Sequence, residues 1–290
     1  MCAGTGHSQN ATFRVDVQLV RLLATVKDAS GQLVGGLNKE DFVITDNGVR
    51  QQIAVFEKHT SQPLSIALMV DISGSTAKDL KYEIDSMTRF LHAIFREGNP
   101  DDAVSLFSFN WEVRQQSNFT RNSLGLEKLM RRLKPEAGTS MYDAIYLAAS
   151  RELSDREGRR VMVMVTDGGD TISQRTYHDA LRALHQADTV FYAMLVVPIK
   201  NDAGRNTGGE NALTTLTQGT GGKVFVPSVG AELDAAFDDV IRDLRTQYLI
   251  GYYPKAVPLT KERFHRTDVK TTDPKLQVIT RTGYYGEYIP

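Results

Sequence analysis

Residues 65–76 read SIALMVDISGST, an apolar run that ends in an acid and a set of small hydroxyl residues. An unbroken apolar segment of this length is typical of a central parallel strand that is buried on both faces. Packing alone gives no reason for an acid at the end of such a strand. The pattern therefore predicts an α/β sheet with a polar turn starting at Asp71, at the edge where open α/β sheets bind their ligands.

Strands alternate with amphipathic helices beyond this turn. Apolar residues recur at helical spacing between Leu80 and Phe95, and further buried strands are predicted at residues 161–165 and 190–197. Such alternation is typical of a doubly wound, mostly parallel sheet. We therefore predict an α/β domain of this class over residues 61–246.

The segments on either side of this domain have a β pattern. Hydrophobic residues alternate along the start of residues 13–60, and residues 46–48 (DNG) are a strong hairpin signal between predicted strands at 43–45 and 49–56. Residues 247–290 contain predicted strands at 248–253, 269–271 and 276–285, with no helix between them. We expect the two segments to form one small β-sandwich-like unit into which the α/β domain is inserted. An antiparallel extension of the α/β sheet is the alternative. Residues 1–12 are predicted to be a disordered tail.

The charge and composition of the chain argue against nucleic acid and membranes as partners. The chain has 290 residues, with 34 Lys and Arg against 35 Asp and Glu, and a formal net charge of −1. A charge this small does not attract nucleic acid or an anionic membrane non-specifically, so neither is an expected partner. No apolar run approaches the roughly 18 residues of a membrane-spanning helix. The single cysteine, Cys2, allows neither an intramolecular disulfide nor a cysteine-based zinc cage.

The start of the chain bears on localisation. Residues 1–10 have neither the basic start nor the apolar segment of an intact secretory signal. One interpretation is a cytoplasmic start; the other, which we favour, is that an export signal was trimmed and a Met added. Cys2 would suit the lipid-modified first residue of a mature lipoprotein, or it is an incidental cysteine in a polar tail. We therefore expect an extracytoplasmic protein, with a cytoplasmic one as the alternative.

Oxygen-bearing side chains follow two of the buried strands. Ser73 and Ser75 alternate after Asp71, so both hydroxyls are able to converge on one point, and the strand at 161–165 leads into Asp167. Between them, Thr139 offers one more hydroxyl at the start of a helix. Hydroxyls, one or two carboxylates and an open position suit a hard cation such as Mg²⁺, which prefers oxygen ligands and keeps several waters. Mn²⁺ and Ca²⁺ are the alternatives.

This pattern resembles a known site. Asp71-x-Ser73-x-Ser75, followed by Thr139 and then Asp167, resembles the metal-ion-dependent adhesion site of von Willebrand factor A domains. The resemblance covers nearly two thirds of the chain and implies a doubly wound sheet with one antiparallel edge strand. It also implies that the two serines and the threonine bind the ion directly, and that the two aspartates act largely through water.

The resemblance implies a mechanism of binding as well. A directly coordinated shell of neutral hydroxyls leaves the ion strongly electrophilic, so an Asp or Glu carboxylate of a protein partner would complete it. Trp111, at a turn on the same face, is predicted to anchor the partner beside the ion; a packed aromatic at a hairpin tip is the alternative. Asp170 is predicted to lie at the rim of this site.

Sequences outside the central domain extend the resemblance. Four of them are similar to the VWFA-related family that is abundant in acidobacterial genomes: residues 20–28, 37–42, 247–254 and 281–285. This resemblance covers residues 13–286. It implies a bacterial protein that is typically exported.

An enzyme and a structural subunit are the two classes of function that compete with a non-enzymatic binding module. In haloacid-dehalogenase-like phosphatases an Asp also closes the first strand, but an acid stands two positions later, where this chain has Ser73. A serine-hydrolase elbow needs glycine two residues before and after the serine, and here those residues are Asp71 and Ser75. These two mismatches disfavour both kinds of enzyme. The alternatives to a binding module are a metal-dependent, phosphatase-like hydrolase and a structural assembly subunit. We predict a binding module without enzymatic activity.

Overall fold

The computed structural model describes residues 18–58, 61–196, 207–258 and 263–286. The predicted tail, including Cys2, and the first residues of the predicted N-terminal strand lie outside these ranges. Within them, the predicted fold class is confirmed: a doubly wound α/β domain carries an additional β unit built from both ends of the chain.

A six-stranded sheet forms the centre of the α/β domain. Its strands are β5 (Leu64–Asp71), β6 (Ala103–Phe109), β7 (Val113–Gln115), β8 (Arg159–Thr166), β9 (Thr189–Leu195) and β10 (Val224–Phe225). They are arranged in the order β10-β9-β8-β5-β6-β7, and all neighbours are parallel except β7, which runs antiparallel to β6. Because β5 lies between β8 and β6, the carboxyl ends of these three strands are adjacent.

Helices cover both faces of this sheet. They are α1 (Leu80–Glu97), α2 (Ser123–Met130), α3 (Met141–Leu147), α4 (Tyr177–Gln186), α5 (Thr207–Thr220) and α6 (Ala231–Thr246). One face packs against α1, α2 and α6, where Phe90 and Phe237 stack with ring centroids 4.8 Å apart. The other face packs against α3, α4 and α5. Every residue of β5 is buried, as its apolar sequence predicts.

Two four-stranded antiparallel sheets form the β unit. Their strands are β1 (Val20–Lys27), β2 (Phe42–Asp46), β3 (Val49–Gln51), β4 (Ile53–Glu57), β11 (Tyr248–Tyr252), β12 (Phe264–Thr271), β13 (Gln277–Ile279) and β14 (Gly283–Tyr285). One sheet has the order β13-β1-β11-β4, and the other has the order β14-β12-β2-β3. Each sheet combines strands from before and after the α/β domain, and apolar residues of both sheets share one core. The alternative, an extension of the α/β sheet, is therefore wrong.

The sequence pattern does not reveal the position at which the chain passes from one sheet of the β unit to the other. The strand predicted after the hairpin at residues 46–48 divides at Gln52, so that β3 and β4 belong to different sheets. Gln51 fixes this crossing, because its side chain accepts a hydrogen bond from Lys255 N (2.9 Å) and donates one to Lys255 O (3.2 Å). A polar residue therefore performs a structural task that a hydrophobic pattern cannot reveal.

Strand β12 is longer than predicted. The pattern predicts a strand only at residues 269–271, whereas β12 begins at Phe264. Its buried positions include His265 and Thr267, which are polar, so the inward face does not look apolar in the sequence. The single strand predicted over residues 276–285 is likewise two short strands, β13 and β14, in different sheets.

A buried acid joins the two ends of the chain inside the β unit. Asp46 is fully buried; its Oδ2 accepts hydrogen bonds from Tyr252 (2.9 Å) and Tyr284 (2.7 Å), and its Oδ1 lies 3.0 Å from His265 Nδ1. Burial is the main cause that raises the pKa of both tyrosines, so they remain neutral donors. One carboxylate therefore connects β2 with β11, β12 and β14.

Polar contacts fix the β unit against the α/β domain. Asp188, after α4, pairs with Arg281 at 2.9 Å and with Arg21 at 3.5 Å. Thr282 N donates to Gly219 O at 2.9 Å. These contacts lie away from the carboxyl ends of β5 and β8, so the β unit leaves that edge of the sheet open.

Replacing Asp46 by Ala should destabilise the protein strongly. The substitution leaves three buried polar groups without their partner, and breaking a buried network of this kind costs about 3–5 kcal/mol. Chemical denaturation monitored by circular dichroism measures the change in the free energy of unfolding. Asp268→Ala is the control, because Asp268 is exposed on β12 and pairs with a surface lysine. Equal stability of the two variants would show that the buried network is unimportant.

Candidate metal centre

The loop after β5 holds the first three candidate ligands. Asp71 is fully buried; its Oδ1 accepts a hydrogen bond from Ser73 N (2.9 Å), and its Oδ2 accepts one from Thr166 Oγ1 (2.6 Å). The hydroxyl oxygens of Ser73 and Ser75 lie 3.1 Å apart. The acid is thus held in place from two sides while the two serine hydroxyls converge, as the alternation in the sequence predicts.

The hydroxyl of Thr76 stabilises this loop. It makes hydrogen bonds of 3.0 Å to the carbonyl oxygens of Asp71 and Ser73, and Leu80 N at the start of α1 donates to Thr76 O. The loop therefore passes into α1 without a mobile linker. Side chains in the first turn of α1 consequently have fixed positions relative to Asp71.

The loop before α3 carries Thr139. Its carbonyl oxygen accepts hydrogen bonds from Thr171 N (2.9 Å) and Ile172 N (3.2 Å) in the loop after β8. The next residue, Ser140, donates from both its backbone N and its hydroxyl to Asn110 O at the end of β6, each at 2.7 Å. Thr139 is therefore fixed between the carboxyl ends of β6 and β8, and its side chain is buried.

Asp167 lies close to Thr139. Its Oδ1 accepts a hydrogen bond from Gly169 N at 3.0 Å. A Cβ atom built on Gly169 would lie 3.2 Å from Asp167 Oδ1 and 3.9 Å from Thr139 Oγ1, so both oxygens face the same small space. The preceding residue, Thr166, links this loop to the first one through its hydrogen bond to Asp71.

The carboxyl groups of the site influence one another. Burial raises the pKa of Asp71 to about 6, although hydrogen bonds from Thr166 and Ser73 oppose the shift; the charge of Asp167 adds to the increase. The carboxyl group of Glu83, in the first turn of α1, is also buried, and its pKa rises to about 8. Three interacting carboxyl groups therefore lie at this edge of the sheet, and two of them keep their protons to a higher pH than usual.

The donor set fits a hard divalent cation. Adjacent ligands of an octahedral Mg²⁺ ion, each at about 2.0–2.1 Å, lie about 2.9 Å apart, and the two serine oxygens are 3.1 Å apart. Within the described ranges, no three His, Cys, Asp or Glu side chains are grouped so as to hold a metal. A metal at this edge would therefore depend on hydroxyl oxygens as well as on Asp71 and Asp167, which is the chemistry that the sequence predicts.

An exposed apolar rim borders Thr139. The side chain of Trp111 is 55% exposed and that of Ile172 is 47% exposed. A Cβ atom on Gly138 would lie 3.1 Å from Trp111 Cβ and 3.1 Å from Ile172 Cδ1, so the two side chains meet over this glycine, whose φ of 86° also disfavours other residues. Trp111 Nε1 donates to Glu136 Oε2 at 2.9 Å, which fixes the indole. More than half of the indole is exposed, and its role as an anchor for a partner stays a prediction.

Asp170 has a structural task that the sequence does not predict. Its Oδ1 accepts hydrogen bonds from Met141 N (2.8 Å), Tyr142 N (3.3 Å) and Ser173 Oγ (2.5 Å), so it caps the start of α3. The residue is partly exposed near the predicted rim. Its contact with a partner stays a prediction, but capping accounts for one of its two oxygens.

Three contributors to the site were missed from the sequence. Thr166 orients Asp71, Glu136 orients Trp111, and Glu83 adds a buried carboxyl group. Thr166 lies one residue before Asp167 and was a detectable candidate. Glu83 occupies a position on the apolar face of α1, where the helical spacing predicts a hydrophobic residue. An acid at such a position is visible in the sequence and could have identified it as a candidate.

Comparison with known families decides the nature of the central domain. Residues 66–169 match the family model described as "von Willebrand factor type A domain". The matched segment contains Asp71, Ser73, Ser75, Thr139 and Asp167. The chain contains a von Willebrand factor type A domain. The segments around this domain are the β unit described above.

Solved structures with the same fold extend beyond the matched segment. The vWF domain of the type V pili tip protein Mfa5 from Porphyromonas gingivalis is 14% identical, with a TM-score of 0.52 over 63% of this chain and 95% of that one. BatB, a conserved hypothetical protein from Bacteroides thetaiotaomicron, is 17% identical, with a TM-score of 0.50 over 62% and 98% of the two chains. The PilB minor pilin from Streptococcus sanguinis is 12% identical, with a TM-score of 0.50 over 64% and 62%. At these identities the likeness shows the fold alone.

No curated protein matches the chain. Among the residues that the structure describes, no helix has the length and apolar character that crossing a membrane requires.

The metal-free protein should lose stability as the pH rises. A carboxyl group whose pKa increases on folding stabilises the folded state fully at low pH, and this contribution is lost as the pH approaches the folded-state value. For Glu83 the loss extends from pH 4.5 to about 8. The contribution of Glu83 is on the order of 4–5 kcal/mol across this range, since one pKa unit corresponds to about 1.4 kcal/mol. Asp71 adds a smaller loss of the same sign.

Denaturation in the presence of a chelator, at both ends of this pH range, measures the effect. Glu83→Gln should remove most of the loss, because an amide does not titrate in this range. A wild-type protein that becomes more stable as the pH rises would contradict the assignment of Glu83 as a buried acid without a compensating positive partner.

Proposed function

We propose that the type A domain is a non-enzymatic, divalent-metal-dependent protein-binding module that takes up an Asp or Glu side chain of a partner. The observation that carries this proposal is the pair of converging hydroxyls of Ser73 and Ser75 next to the buried Asp71. Their placement at the carboxyl end of a central strand, within a type A domain, supports it.

Five residues would hold the ion. Ser73, Ser75 and Thr139 would bind it directly, and Asp71 and Asp167 would act through water. Mg²⁺ is the cation that we propose, with Mn²⁺ and Ca²⁺ as alternatives. When bound, the cation supplies a positive charge that accepts a carboxylate oxygen of the partner.

The protein's own groups make the site selective for an acid. The hydroxyls are neutral, and Asp71 is buried and held by two hydrogen bonds, so its charge is kept behind the exposed Ser75. The exposed side chains of Trp111 and Ile172 lie beside Thr139 and provide apolar contact area. The preferred partner therefore presents an Asp or Glu next to an aliphatic or aromatic residue.

The site geometry favours binding over hydrolysis. Among the described hydrogen bonds, the hydroxyl of Ser73 faces the hydroxyl of Ser75, which is not a general base. A metal-dependent hydrolase is the second candidate, favoured only by the crowded carboxyl groups of Asp71 and Asp167. Assays with generic phosphate and ester substrates separate the two: Mg²⁺-dependent turnover would support the hydrolase.

An extracytoplasmic location agrees with this proposal. Two neighbours of the same fold are a type V pili tip protein and a minor pilin. Immunodetection in fractions of the native host tests it.

Asp71→Ala, or Ser73→Ala combined with Ser75→Ala, should abolish binding of divalent cations and leave the fold largely intact. The serines lie in a loop, and their removal opens no cavity in the apolar core. Asp71→Ala should lower the stability more than the serine pair does, because it leaves the Thr166 hydroxyl and Ser73 N without their acceptor. Isothermal titration with Mg²⁺ measures the affinity, and circular dichroism checks the fold. Ser117→Ala is a control on a hydroxyl of the same domain distant from this loop. Unchanged Mg²⁺ affinity in the loop variants would exclude the site.

Selection from a random peptide library in the presence of Mg²⁺ should enrich sequences with an Asp or Glu next to an apolar residue. Retention should disappear with a chelator and with the double serine variant. Trp111→Ala should weaken binding of a selected peptide by about 10-fold, as expected for an exposed anchor, without changing the Mg²⁺ affinity. Enrichment of sequences without acids would contradict the proposed mode of recognition.

A further inference from the structure

Glu83 lies inside the protein on the first turn of α1. The buried stripe of this helix includes Leu80, Ile84 and Met87, and Glu83 lies three residues after the first and four before the last, on the same face. The side chain is 1% exposed. A carboxyl group thus occupies a position where the helix pattern calls for an apolar residue.

This carboxyl group has no hydrogen-bond partner. Both of its oxygens are buried and unbonded within the part of the chain that the structure describes. Burying a carboxylate without a partner is costly, so such a group is retained only when something compensates it. Its neighbours do not compensate it, because the charged groups that act on it are Asp71, Asp79 and Asp167, all of which are acidic.

Two of those three neighbours are candidate groups of the metal centre. The hydrogen bonds of Thr76 connect the metal loop directly to the start of α1, so Glu83 and Asp71 keep fixed relative positions. A divalent cation held by Ser73 and Ser75 would convert the repulsion between these acids into a shared attraction. No other charge described near Glu83 has that effect.

We propose that Glu83 is a third acidic group of the metal centre, acting by its charge from the buried side of the loop, and that it sets how tightly the site retains a divalent cation. This inference rests on the proposed function, since it requires a cation at that site. Glu83 acts on the cation through the electrostatic field and orients no direct ligand. It is therefore a determinant of affinity, and the fold does not depend on it.

Glu83→Gln separates these roles, because it keeps the shape of the side chain but cannot ionise when a cation binds nearby. We expect the Mg²⁺ dissociation constant to increase by about 10-fold or more, because a carboxylate and a divalent cation attract each other strongly at a buried site. The midpoint of thermal unfolding of the metal-free protein should stay the same or increase, because a buried unpaired acid is gone. A role in stability alone predicts the opposite sign, a lower midpoint.

The test is isothermal titration of the full chain with Mg²⁺ and with Mn²⁺, in the absence of any partner. The affinity of the wild-type protein is measured first. Asp85→Asn is the matched control: it removes one charge from the same helix at the surface, where Asp85 pairs with Arg131 at 3.0 Å. Its affinity for both ions should equal that of wild type. Glu83→Met, which is apolar and of similar size, repeats the test if the glutamine variant folds poorly.

The outcomes are distinguishable. If wild type binds Mg²⁺ and Glu83→Gln binds it equally tightly, the role of Glu83 is wrong and the proposed function stands. If the affinity falls together with the thermal midpoint of the metal-free protein, Glu83 is structural and the inference is overturned. If wild type binds no divalent cation, the proposed function fails and this inference fails with it.

Discussion

A single buried carboxylate constrains this edge of the molecule. Asp71 ends the central strand with no exposed surface, and a hydrogen bond of 2.6 Å from Thr166 joins it to the neighbouring strand. Burying a charge is favourable only when hydrogen bonds or a counterion stabilise it. The hydrogen bonds from Thr166 and from the backbone of Ser73 provide part of that stabilisation. The cation that we propose would provide the rest.

The order of the strands assembles this edge of the sheet. Parallel pairing of β5 with β8 and β6 brings three strand ends together, so that residues distant in the chain meet at one crevice. The β unit is fixed to the domain through Asp188 and Gly219, away from the crevice. The β unit therefore joins the two ends of the chain, and the type A domain carries the proposed binding surface.

Much of this arrangement could be predicted from the sequence, for physical reasons that also show where prediction ends. An apolar run of this length that ends in Asp71 favours a buried strand with its acid at the carboxyl end, so the location of the candidate ligands follows from the parallel order of the strands. The capping by Asp170 and the orientation of Trp111 depend on contacts between distant loops, which periodicity does not contain. Strand β12 was shortened because its inward face carries polar side chains such as His265, whose partner Asp46 lies 219 residues earlier.

The central claim, that the hydroxyls after β5 hold a divalent cation, is tested most directly by a crystal structure of the protein grown with Mn²⁺. The account predicts one strong anomalous peak within bonding distance of the hydroxyl oxygens of Ser73 and Ser75, with Asp71 in the next shell. A map without a peak at this position, in crystals where the loop is well ordered and Mn²⁺ is in excess, would contradict it.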